Sequence, residues 1–435
     1  MVVPQETSIA SLANSFKSLQ PSDKGQDMEK QKSLVVQAFR SLIAKCPLIC
    51  LEPFSSAHEE NLPGLFEQIE FRAELLKRLQ SGLLPSLRHR ITALSLSLDP
   101  CDLRKNATGQ LKQVLEILGE LEQTLDQIKA SVASIAPVLR PSLVSNDGHL
   151  KNLKAFRCVR VRLKVNDLAM LVSELFQTCV RFIENLTYSS SNEPRGRAEV
   201  LSLTSLSWNL IDTTIEWFDR SEFSLLQDQW LPEVGLVDDA LDELTKLINH
   251  TGPEGESDSA ANSSDEDGDH DHDDDDDDDD MSFGANDSRP SEHVIQLAKS
   301  AVPIIKLSRL FLNKLSKTTT QKEPFGLVTE MSSSQLESLL ASTGSISRIV
   351  DEIVCTLSDA DDDDHALATE DLIQSGNNLS EAFREIQLVL DRYLIPLISE
   401  EDSSSSSKVN IKTWFAEWNK QFLLATQNYI PNETS

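Results

Sequence analysis

Between Leu111 and Ile135 the chain reads LKQVLEILGELEQTLDQIKASVASI. This places Leu111, Val114, Leu118, Leu121, Leu125, Ile128, Val132 and Ile135 at spacings that alternate between three and four. Such a run is an a/d heptad seam, and it requires a helix. The outward positions agree, since Lys112, Gln113, Glu116, Glu120, Gln123, Asp126 and Gln127 are polar. Leu115 and Ile117 flank the seam near its start and widen the apolar face. A face that wide suits a rod surrounded by several helices better than one half of a two-stranded coil. The seam therefore predicts the buried centre of a helical bundle.

The rest of the chain is compatible with that architecture. Glycine is scarce, at 15 of 435 residues, and no β-branched run alternates with polar residues, so an all-α fold is expected throughout. Amphipathic patterns predict helices around Ile9–Leu19, Asp27–Lys45 and Gly64–Leu98, with Pro85 expected to kink or break the last of these. Further helices are expected over Leu150–Leu186 and over Arg197–Phe218, the latter apolar nearly all round and hence buried. Two short helices, Phe223–Leu231 and Leu236–Ile248, should follow. Periodicity resumes near Ser291 and continues through helices around Gln335–Leu357, Ala366–Ile398 and Asn410–Tyr429. The polar run SSSNEPR at 189–195 reads as a linker. It predicts two antiparallel helical bundles, residues 1–188 and 196–430, the second interrupted by a disordered acidic loop at 251–290.

That loop dominates the electrostatics. Sixteen acidic residues and no Lys or Arg lie between Glu254 and Asp280, more than half of the net charge of −30. A segment so charged and so poor in apolar residues cannot offset the entropy of ordering it. Its acidic residues, among them Asp265, Glu266, Asp267, Asp273 and Asp280, are candidate contacts for a basic partner such as a histone; the plainer reading is a solvated tether. His270 and His272 fall within the run, but an unstructured acidic stretch offers no fixed geometry for a metal. The charge argues against direct nucleic-acid binding and against anionic membranes.

Other clusters carry less chemistry. The knot DADDDDH at 359–365 invites comparison with magnesium–diphosphate sites of all-α synthases, yet no second metal motif has suitable spacing and aromatics are few. It is read as an interhelical loop. Lys151, Lys154, Arg157, Arg160, Arg162 and Lys164 form a basic cluster, read as a polar outer face or an internal dock for the acidic run. Trp414, Phe415, Trp418 and Phe422 recur at helical spacing, either as anchors for a partner's groove or as a stripe docked on their own bundle. No nucleophilic triad, metal-ligand set or Gly-rich phosphate cradle stands out, so no enzyme activity, cofactor or metal is expected. The amino terminus lacks a basic n-region followed by an apolar core, and no apolar run reaches membrane-span length. These features predict an intracellular protein of the cytoplasm or nucleus, neither secreted nor membrane-bound.

The order of features in the second half adds a resemblance. VDDALDELTKLINH (Val237–His250) runs into the acidic, His-dotted insertion, followed by the basic apolar stretch VIQLAKSAVPIIKLSRLFLNKL (Val294–Leu315) and by SISRIVDEIVCTLSDADD (Ser345–Asp362). Over about residues 201–398 this resembles the Grap2 and cyclin-D-interacting protein family. The first half, including LLPSLRHRITALSLSLDP (Leu83–Pro100), instead resembles uncharacterised fungal helical proteins. The family resemblance implies a non-enzymatic adaptor that binds D-type cyclins or helix-loop-helix transcription regulators. The alternatives are an acidic, chaperone-like binder of basic proteins and an all-α magnesium-dependent enzyme.

Overall fold

The computed structural model describes residues 8–18, 24–49, 62–136, 144–186, 196–249, 290–317, 329–360, 365–394 and 406–429. Among these residues the fold is all-α and contains no strand. The helices are α1 (Ile9–Ser18), α2 (Lys24–Lys45), α3 (Leu62–Arg78), α4 (Leu84–Ser97), α5 (Pro100–Lys105), α6 (Ala107–Ile135) and α7 (Ala155–Glu184). They continue as α8 (Arg197–Phe218), α9 (Glu222–Ile248), α10 (Glu292–Lys317), α11 (Ser333–Ser358), α12 (His365–Val389) and α13 (Ser406–Tyr429). No helix among the described residues is long and apolar enough to cross a membrane. The acidic run at 251–280 and Asp361–Asp364 lie outside the described residues.

The chain divides into two compact units. One is Met1–Leu226 with Lys322–Ser338, and the other is Gln227–Gln321 with Leu339–Ser435. This differs from the expected division at 189–195, because α8 packs on α4 and α7 of the first unit. Its Val200, Leu203, Ile211, Trp217 and Phe218 are buried, and the Arg197 guanidinium donates to the Ser95 carbonyl at 2.9 Å. Nor is α8 buried all round, as its composition predicts: Leu201 and Leu206 are about half exposed.

In the first unit α6 is the central rod. All eight seam residues are buried, as are Leu115 and Ile117, and α6 touches α1, α2, α3, α4, α5 and α7. The wide apolar face thus has a separate neighbour on each flank. Asn106 starts the rod, its side chain accepting the Gly109 amide at 3.0 Å.

Long-range basic side chains finish three helices of this unit. Arg72 donates to the Ile135 carbonyl of α6 at 2.7 and 3.2 Å, and Lys32 to the Leu186 carbonyl just past α7 at 2.9 Å. Arg157 donates to the Phe218 and Arg220 carbonyls at the end of α8, at 2.9 and 2.8 Å. Each cation satisfies carbonyls that have no intrahelical partner and sits at the negative end of a helix dipole.

Two prolines behave differently from the sequence expectation. Pro85 lies in the first turn of α4, directly after a π-helical turn, Leu79–Leu83. Arg78 and Leu84 on either side keep right-handed helical dihedrals, so the wide turn absorbs the missing hydrogen bond and the path stays helical. Pro232 lies inside α9, which is one helix where two are expected. The proline itself is exposed, while Trp230, Val234 and Val237 around it are buried and hold the helix together across the gap.

The second unit is built around an aromatic cluster. Phe311 of α10 lies 4.9 Å from Phe383 of α12 and 4.7 Å from Trp418 of α13, centroid to centroid. Phe383 lies 4.7 Å from Phe422, which stacks on Trp418 at 5.1 Å. The Trp418 indole donates to the Leu307 carbonyl at 2.9 Å, and the Trp230 indole to the Thr343 hydroxyl at 3.0 Å, so both buried N–H groups are satisfied.

Candidate functional site

Within the first unit, the N-terminal ends of α7 and α11 share their caps. Lys154 precedes α7 with extended dihedrals and offers its helix no side-chain cap. The first amides of α7 are satisfied from a distance instead. Asp147 Oδ2 accepts the Ala155 N–H at 2.8 Å, and the Ser333 hydroxyl oxygen accepts the Phe156 N–H at 2.7 Å. Asp147 Oδ1 in turn accepts the Ser333 N–H at 2.7 Å, while the Ser333 hydroxyl donates to Oδ2 at 2.5 Å. One buried carboxylate therefore faces two positive helix ends, which offset the cost of burying its charge.

A second buried node adjoins it. Lys154 Nζ lies 2.8 Å from Glu222 Oε2 and donates to the Thr329 carbonyl at 2.6 Å. The same Oε2 accepts the Thr329 amide at 3.2 Å and its hydroxyl at 2.6 Å. Both charged side chains are 0% exposed, and Glu222 Oε1 has no hydrogen-bond partner among the described residues. Both nodes tie residues 329–333 into the first unit, with Met331 and Leu336 adding buried apolar contacts.

A cleft of about 490 Å³ opens beside these nodes. One side is the 3-10 segment Asp147–Leu153 and the turn before it, contributing Asn146, Gly148, His149 and Lys151. The other is Thr329, Glu330, Ser332 and Gln335. Ser332 and Gln335 form a reciprocal capping box, with side chain to amide distances of 2.9 and 3.3 Å. The His149 ring Nδ1 lies 3.0 Å from the Asn146 carbonyl, which places the proton on Nδ1. Gly148 is required where it is, because a Cβ there would come within 2.5 Å of the Glu330 carbonyl oxygen. Lys151 has φ +53° and ψ −118°, a conformation costing about 1–3 kcal/mol for a residue with a side chain.

The basic cluster of the sequence is thus divided between interior and surface, and the acidic run that it could dock lies outside the described residues. Lys154 and Arg157 are buried and committed as above. Arg160 lies 3.6 Å over the Phe156 ring and 2.6 Å from Glu337, and Lys164 lies over Trp217 at 5.7 Å. Sequence reasoning missed this site because its halves lie far apart in the chain; the only local signal was Asp147 ahead of a basic helix.

The aromatic stripe follows the second of its two readings, docked on its own bundle. Phe415, Trp418 and Phe422 fill the core of the second unit and are not available as anchors; Trp414 is half-buried, with Lys314 over its ring at 5.6 Å. Asp265, Glu266, Asp267, Asp273 and Asp280 lie outside the described residues. Burial pushes the thiols of Cys46 and Cys179 up to about 12, and raises that of Cys158, so these are neutral packed side chains near pH 7. Among the described residues no three His, Cys, Asp or Glu side chains converge as metal ligands.

The shared caps make a prediction. Ser333→Ala leaves the Phe156 amide buried without an acceptor and is expected to cost about 1–2 kcal/mol. Amide exchange at Phe156 should accelerate while that in the middle of α6 stays unchanged; equal protection in the variant and the parent would refute the cap.

Comparison with known families matches residues 72–219 to a domain of unknown function, DUF8723, and residues 221–431 to another domain of unknown function, DUF8721. No curated protein and no solved structure matches the chain.

Proposed function

We propose that this chain is a non-enzymatic helical adaptor of the cytoplasm or nucleus whose partner offers an apolar helical face. The observation that supports this reading is on α7. Val159, Leu163 and Met170 are 39%, 54% and 54% exposed, and their spacing puts them within one narrow sector of the helix. The opposite face, with Val165, Leu168, Val172 and Phe176, is buried. Lone exposed apolar residues need no explanation, but three in one line over about 16 Å form the kind of stripe that a partner helix covers. The resemblance of the second half to Grap2 and cyclin-D-interacting proteins supports a D-type cyclin or a helix-loop-helix regulator as that partner.

The reading is tested with purified D-type cyclin and helix-loop-helix protein by calorimetry. Leu163→Glu with Met170→Glu should leave the melting temperature unchanged and abolish binding. Binding unaffected by the double change, or absent with the parent chain for both partners, would remove this assignment. The composition of residues 254–280 favours a second reading, an acidic binder of histones. Under it, deleting Glu254–Asp280 removes a salt-sensitive histone association, because such binding rests on charge screened over about 10 Å at 0.1 M salt. Under the adaptor reading the deletion changes neither melting nor cyclin binding.

A further inference from the structure

We infer that the cleft between the Asp147–Leu153 segment and residues 329–335 binds a phosphate-type oxyanion, either free or carried as a phosphate monoester. The inference is independent of the adaptor reading. At about 490 Å³ the cleft falls within the usual range of small-molecule sites, about 300–1,000 Å³, and has room for both an oxyanion and the group that bears it. Its walls are polar. Lys151 supplies a cation and Ser332 a hydroxyl whose oxygen accepts the Gln335 amide and whose proton is left for a ligand, while the Thr329 hydroxyl is spent on Glu222. His149 also lines the cleft, its ring held in place through Nδ1.

The neighbouring charges are already committed and do not compete. The carboxylate of Asp147 is turned onto the ends of α7 and α11, and Lys154 is paired with Glu222. Lys151 is different, since it is exposed and lines the cleft. It also occupies a left-handed backbone position that glycine would take without strain, so the fold bears a cost for placing an ammonium there. Glu330 also lines the cleft, and its charge opposes an anion. The site therefore suits a ligand that gains more from Lys151 and the Ser332 hydroxyl than it loses to one carboxylate.

The test uses the full chain, titrated by calorimetry with inorganic phosphate and separately with O-phosphoserine. Saturable binding is expected, accompanied by a rise in melting temperature, because a ligand that binds only the native state stabilises it. Lys151→Gly should weaken binding about tenfold or more, the effect of losing one charge-assisted hydrogen bond, while raising the melting temperature of the unliganded protein. Lys151→Gln should lose binding to the same degree without the backbone relief, and it supplies the comparison if the glycine variant is poorly folded. Glu330→Gln should tighten binding. Tighter binding of phosphoserine than of phosphate identifies a carried group, and the reverse order identifies the free ion. No saturable binding of either probe, or equal binding by the parent and both Lys151 variants, would overturn the assignment.

Discussion

Lys154→Met is expected to destabilise the first unit by about 3–5 kcal/mol, because it leaves the Glu222 carboxylate buried without its ion-pair partner. Glu222 already has one oxygen without a partner, and the other would keep only the amide and hydroxyl of Thr329. Equilibrium urea denaturation measures the loss, and amide exchange along α7 and at residues 329–333 locates it. The companion change distinguishes the cost of a broken pair from the worth of an intact one. Lys154→Met with Glu222→Leu replaces two buried charges by apolar side chains of similar size, and should recover the cost of the unpaired charge, less that of the Thr329 amide, hydroxyl and carbonyl that lose these partners. The pair then serves to fix where residues 329–333 sit, with little net contribution to stability. Should the single variant unfold at the same urea concentration as the parent, the ammonium is not buried and the node is misassigned.

Leu118→Asp in α6 should be at least as damaging. Leu118 is fully buried in the middle of the seam. The change gives up about 1.5–3 kcal/mol of apolar burial and adds the several kcal/mol of an unpaired buried carboxylate. The sum approaches the whole stability of an ordinary domain, about 5–15 kcal/mol, so the first unit should fail to fold at 37 °C. Glu120→Ala, two residues away, should be nearly silent: its side chain is 61% exposed and its ion pair with Arg90 spans 3.3 Å at the surface. Circular dichroism melts of the two variants make the comparison, and indistinguishable curves would mean that the seam does not face the core.

These two predictions differ in how visible their residues are before folding. Leu118 is legible because a helix repeats every 3.6 residues, and eight seam positions report the same face. The interior of α6, the aromatic periodicity of α13 and the all-helical character of the described residues follow from local pattern in the same way. Lys154 is not legible. In sequence it is one of six cations within fourteen residues, and nothing local separates it from the other five. Its burial is decided by Glu222 and Thr329, 68 and 175 residues downstream. The same distance hides the cleft, since His149 and Lys151 meet Ser332 and Gln335 only after the chain has gone through α7, α8, α9 and α10. Pro232 misleads for a related reason: helix propensity predicts a break, and the burial of Trp230, Val234 and Val237 overrides it.

The return of residues 329–333 to the first unit also has a consequence in time. A ribosome extends a chain at about 5–20 residues per second, so the 175 residues from Lys154 to Thr329 take roughly 9–35 s to make. Throughout that interval α7 exists without the Ser333 hydroxyl on its amide, Asp147 without the Ser333 amide and Lys154 without the Thr329 carbonyl, although Glu222 is made after the first 68 residues. By the time Thr329 is made, the residues of α9 and α10 that belong to the second unit have already been translated. The first unit is thus begun before the second but completed after it has started.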